Sequence, residues 1–60
     1  MKKPYTIILA DDHAMMRDGI RNLIDAVDGL EVIAEAGDGL ELLKIIKKIV
    51  PDMVILDISI

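Results

Sequence analysis

Sixty residues make at most one small domain, and chains of this size bury only ~60% of the surface their unfolded form exposes. There is no cysteine and a single histidine, which excludes disulfides, thiolate metal sites and a structural zinc centre. A net charge of −4 argues against a nucleic-acid-binding surface within these residues and is compatible with cation binding.

Tyr5-Thr6-Ile7-Ile8-Leu9-Ala10 is short, β-branched and nearly all apolar. That pattern predicts a strand covered on both faces, as in a parallel sheet. The run follows Met1–Lys3 in a way that superficially suggests a signal peptide. Asp11 and Asp12 interrupt it, however, and no small-residue cleavage site follows. No apolar stretch approaches the ~20 residues of a membrane span, so a cytoplasmic chain is expected.

Met16, Ile20, Leu23, Ile24 and Val27 follow at helical spacing, with Arg17, Asp18, Arg21, Asn22 and Asp25 on the other side. Gly29 lies just past this stripe, where a left-handed cap residue is expected. Leu30–Ala36 alternates. Leu30, Val32, Ala34 and Ala36 are predicted to share one face, and Glu31, Ile33 and Glu35 the other, as in an edge strand with one face partly wet.

Gly37-Asp38-Gly39 is a turn, and Asp38 with Glu41 has the spacing of a helix capping box. The second helix then carries Leu42, Leu43, Ile45, Ile46, Ile49 and Val50 on a wide apolar face, with Lys44, Lys47 and Lys48 for solvent. Pro51 forces a stop, because it pushes Val50 out of the α region. Met53-Val54-Ile55-Leu56 is a second buried-type strand, ending in Asp57.

The order strand–helix–strand–helix–strand, with right-handed crossovers, predicts an α/β fold with parallel strand order 2-1-3 and a helix on each face. It also makes the apolar third strand an edge, and such an edge seeks a partner. In this sheet Asp11, Asp12 and Asp57 converge where the first and third strands end. Three carboxylates together repel one another. They make sense around a hard divalent cation, or where one is a nucleophile for a phosphoryl group. His13 adjoins the pair but is read as a residue of the helix start, since hard cations prefer oxygen. Met15, Met16 and Met53 are read as apolar fillers. No glycine fingerprint follows the first strand, which weighs against a nucleotide-binding enzyme.

Four segments, Asp11-Asp12-His13, Arg17-Asp18-Gly19-Ile20, Glu35-Ala36-Gly37-Asp38-Gly39 and Pro51–Ser59, in this order and spacing, resemble the receiver domain of bacterial two-component response regulators. The flavour is that of the NarL/FixJ type, which carries a C-terminal LuxR-type helix-turn-helix. The resemblance implies a doubly wound, flavodoxin-like fold and a phosphoacceptor signalling domain, not an enzyme. It implies Asp57 as acceptor from a sensor histidine kinase. It also implies a Mg²⁺ site made by Asp12 as a direct ligand, Asp11 as a ligand through water, Asp57 itself and the backbone carbonyl of Ser59.

Receivers of this family have five strands and five helices, and their conserved Ser/Thr and Lys lie beyond the third strand. Residues 1–60 are therefore expected to be the N-terminal half of a receiver, truncated after the third strand and poorly phosphorylated by itself. DNA contact would fall to a missing C-terminal domain. The competing expectation is a non-catalytic, self-associating half-fold, a homo-oligomer that pairs two copies through the exposed third strand.

Overall fold

The computed structural model describes residues Lys3–Asp57. Its elements are β1 (Tyr5–Ala10), α1 (Ala14–Asp25), β2 (Leu30–Ala36), α2 (Gly39–Ile46) and β3 (Met53–Leu56). All three strands are parallel in the order β2-β1-β3, the expected half of a doubly wound α/β sheet. The central strand β1 buries Ile7, Ile8, Leu9 and Ala10 completely, because helices cover both of its faces. Ile7 and Leu9 pack with Ile24 of α1, Val32, Ile20, Leu30 and Ile55. Ile8 and Ala10 point the other way and pack with Leu42 of α2, Ala36, Ile33, Ala34, Ile45 and Val54.

The face assignment of β2 departs from simple alternation. Tyr5, Thr6 and Ile7 pair with Leu30, Glu31 and Val32, but Ile8 pairs with Ala34, so β2 carries an extra residue at Ile33. Such a bulge flips the side chains that follow it. Leu30 and Val32 therefore face α1, whereas Ala34 and Ala36 face α2. Glu35, opposite Leu9, is turned onto the α1 side.

Both helices are shorter than their apolar stripes. On α1 only Ile20 and Ile24 pack on the sheet, while Met16, Leu23 and Val27 are exposed. The helix closes at Ala26, and Gly29, at φ +89°, makes the turn into β2 rather than the cap itself. The start of α2 follows expectation, since the Asp38 side chain accepts a bond from Glu41 N at 2.8 Å. Its end does not: the helix stops at Ile46, ahead of Ile49 and Val50. The six residues 47–52 are needed to bring the chain back across the sheet to the foot of β1.

A clamp awaits it there. The Asp52 Oδ2 atom accepts from Thr6 N at 2.7 Å and from Thr6 Oγ1 at 3.0 Å, while Asp52 N donates to Thr6 O at 3.0 Å. These bonds, from the main chain first and then the hydroxyl, hold the Asp52 carboxyl below its ordinary 3.8. A depressed pKa means the clamp contributes stability above the ordinary carboxylate value and loses it as pH falls through the lowered one. The thermal midpoint of an Asp52→Ala variant is expected to lie below that of the parent chain at neutral pH. The gap should close as pH drops below about 3.8, and circular dichroism melts across that range check it.

Candidate functional site

The ends of β1 and β3 meet because the two strands run parallel in a fixed register. Ala10 pairs with Leu56, and Asp57 N donates to the Ala10 carbonyl at 2.9 Å. Asp57 thus follows β3 where Asp11 follows β1. Asp11 itself is tied to the other neighbour, its N–H donating to the Ala36 carbonyl at 3.0 Å. It is buried, with 5% of its surface exposed, and its Oδ1 accepts from His13 N at 2.8 Å. A buried carboxylate needs such partners, since an unsatisfied one costs several kcal/mol.

His13 is the N-cap of α1, with extended backbone and no capping bond from its side chain. The imidazole turns inward over the acids. Its Nδ1 lies 2.8 Å from Asp12 Oδ1, 3.3 Å from Asp11 Oδ1 and 3.6 Å from Asp57 Oδ2. One ligand atom from each of Asp11, Asp12, His13 and Asp57 falls within 4.8 Å of the others. The negative charge of Asp12, followed by the hydrogen bond to Asp11, raises the His13 pKa above 6.5. A protonated ring is thus a cation held among three carboxylates.

Chemically, the donor set suits a hard divalent cation. Carboxylate oxygens dominate it, and a cation that keeps several of its waters needs only one or two direct carboxylate ligands. Asp11 is recessed, while Asp12 and His13 are exposed and Asp57 is partly covered. On the α1 side opens a cavity of about 280 Å³ whose lining includes the apolar Leu9, Met16, Ile20 and Ile55 and the polar Asp11, Arg17 and Asp57.

The expected meeting of Asp11, Asp12 and Asp57 is therefore observed as geometry. Ser59, expected to contribute its carbonyl, lies outside the described residues. Two participants escape the sequence reading. His13 joins the acids instead of serving only as a helix start. Arg17, assigned to the solvent side of α1, reaches back to donate to the Asp11 carbonyl at 2.6 Å. The spacing of His13 two residues after Asp11 allowed that contact, but nothing local to Arg17 announced its own.

The chain is similar in sequence to proteins of one family. The response regulator receiver domain family matches residues 7–60. The uncharacterized transcriptional regulatory protein YhcZ of Bacillus subtilis is 43% identical over 53 residues, which is 88% of this chain and 25% of that protein. The nitrate/nitrite response regulator protein NarL of Escherichia coli is 34% identical over 58 residues, 97% of this chain and 27% of NarL. Response regulator GacA of Pseudomonas viridiflava is 35% identical over 53 residues, 88% of this chain and 25% of GacA. The chain thus spans about a quarter of the length of these curated relatives.

Because the Asp12 charge leads the shift, an Asp12→Asn variant is expected to bring the His13 midpoint back toward 6.5. The raised value means that imidazolium persists above the ordinary range and is lost as pH rises through the higher midpoint. Titration of the His13 ring protons by NMR in both proteins measures the difference.

Proposed function

We propose that this chain, which belongs to the response regulator receiver domain family, carries the acceptor carboxylate of a phosphorelay at Asp57. Receiver domains of this family are phosphoacceptor modules and not enzymes in their own right. The observation that supports the reading is the meeting of Asp57 with Asp11 and Asp12 at one edge of a parallel sheet.

In this reading a carboxylate oxygen of Asp57 attacks the phosphorus of a sensor kinase phosphohistidine. The new P–O bond forms as the P–N bond breaks, and the departing imidazole nitrogen keeps the electron pair and takes a proton. The product is an acyl phosphate on Asp57. Asp12 would hold Mg²⁺ directly and Asp11 through water, with Asp57 and the Ser59 carbonyl as the other protein ligands. Bound Mg²⁺ supplies positive charge against the clustered carboxylates and the transferring phosphoryl oxygens. Asp11 stays recessed and hydrogen-bonded, so it acts by charge and orientation.

Residues 1–60 are read as the N-terminal half of a receiver within a longer protein. One relative, named a transcriptional regulatory protein, supports a DNA-binding regulator as that protein, for which the cytoplasm is the proposed location. The net charge of −4 weighs against DNA contact through these residues.

Among the described residues, no lysine and no serine or threonine hydroxyl lines the pocket beside Asp57. One missing electrostatic partner of this kind costs about a hundredfold in rate. A small phosphodonor with Mg²⁺ is therefore expected to label the sixty-residue chain slowly and in low yield. The label should sit on Asp57, vanish in Asp57→Asn and fall in Asp12→Asn, as read by intact mass and peptide mapping. A label that survives Asp57→Asn overturns the reading, whereas rapid, stoichiometric labelling of Asp57 overturns only the expected loss of rate.

A second reading concerns association. Among the described residues β3 pairs only with β1, and Met53 and Leu56 on it are 44% and 50% exposed. Two copies aligned about a two-fold axis through β3 would cover both residues and satisfy the free edge. Analytical ultracentrifugation at micromolar concentration is expected to show dimer. A single monomer boundary removes this reading and leaves the first intact.

A further inference from the structure

The turn that carries Asp11 and Asp12 is braced by a side chain one helical turn further on. Arg17 donates from Nη1 to the main-chain carbonyl of Asp11 at 2.6 Å and from Nε to Glu35 Oε1 at 2.8 Å. The Arg17 and Glu35 side chains are only 22% and 23% exposed, so water competes weakly for these bonds. Arg21 also bonds to Glu35, through the other carboxylate oxygen. Because the guanidinium is a rigid plane, fixing two of its donors fixes its orientation.

The carbonyl that Arg17 grips belongs to the peptide joining Asp11 to Asp12. That unit is planar, so holding its oxygen sets the direction in which Asp12 leaves the turn. Two further polar groups of Asp11 are pinned elsewhere, its N–H to the Ala36 carbonyl and its Oδ1 to His13 N. Glu35 is within reach of Arg17 only because of the bulge at Ile33. In unbroken register Glu35 would stand opposite Ala10, on the α2 face.

We propose that Arg17 is a positioning residue for the cation carboxylates, anchoring the Asp11–Asp12 peptide to Glu35 on β2. The inference rests on the cation reading of the cluster. Charge alone predicts the opposite sign: deleting a nearby guanidinium would tighten cation binding. Loss of a residue that orients metal ligands weakens it, by tenfold or more.

The test is a Mg²⁺ titration of the chain, followed by the amide NMR signals of residues 11–13 and 57, in three variants. Arg17→Met is expected to weaken Mg²⁺ binding about tenfold and to shift the metal-free amides of Asp12 and His13. Arg21→Met loses a bond to the same Glu35 but never touches the turn, and is expected to leave affinity within about twofold. Arg17→Lys keeps the charge and the fold yet holds only one of the two acceptors, so it still loses affinity several-fold; it decides the matter where Arg17→Met does not fold. Unchanged or tighter binding in both Arg17 variants overturns the proposal, as does an equal loss in Arg21→Met. Absence of Mg²⁺ binding in the parent chain would remove the cation reading alone. The metal-free amides then decide: shifts at Asp12 and His13 in Arg17→Met but not in Arg21→Met uphold the brace, and their absence ends it.

Discussion

Parallel pairing of β1 with β3 is the constraint on which the site depends. Like charges a few ångströms apart repel by roughly 1 kcal/mol per pair in bulk water and by several times that near a protein surface. Asp11, Asp12 and Asp57 are nevertheless brought within 4.8 Å of one another. Nothing in the acids themselves favours this. The apolar runs that precede them do, since burying Ile7–Ala10 between two helical layers fixes where both strands end. Core packing thus sets the distance between charges. The energy that core burial supplies offsets their repulsion, and the acids in turn favour the charged form of the neighbouring His13 ring, raising its pKa.

The second strand contributes no atom to the acidic cluster, yet it helps to organise it. Ala36 receives the Asp11 N–H, and Glu35 orients Arg17, which holds the Asp11 carbonyl. Both contacts depend on the single extra residue at Ile33. One irregularity in β2 therefore serves two purposes. It lets the small residues Ala34 and Ala36 sit under α2, and it sends a carboxylate to the opposite face to meet two arginines on α1.

Strands were the most legible part of this sequence. Their apolar runs are short and end in aspartate or glycine, so their limits and order follow from pattern and crossover handedness. The convergence of Asp11, Asp12 and Asp57 followed from that topology and required no knowledge of side-chain detail. What could not be read was whatever depends on tertiary register. The bulge leaves only one trace in the sequence, the apolar Ile33 between Glu31 and Glu35, and a partly wet edge strand accommodates that residue without any change of register. Arg17 looked solvated for the same reason: its partner Glu35 reaches α1 only after the flip. The early end of α2 was hidden too, because Ile49 and Val50 continue the helical stripe, whereas the chain needs them to span the return to Thr6. Here a closure requirement overrides local propensity.

Asp57 inherits a mechanical property from this arrangement. β3 is four residues long and is held at both ends, by the Asp52–Thr6 clamp at its foot and by the Asp57 N–H on Ala10 at its tip. A slip of one residue would turn Val54 and Ile55 onto each other's faces and exchange their core partners. A slip of two restores the faces but carries Asp57 about 6.6 Å along the sheet, beyond the reach of a cation shared with Asp12. Only one register satisfies both the apolar faces and the carboxylates. Asp52, exposed and at the opposite end of the sheet from the acidic cluster, therefore acts on Asp57 by excluding the alternatives, just as Arg17 acts on Asp12 by fixing a peptide plane. In both cases a polar side chain outside the cluster decides where a carboxylate inside it stands.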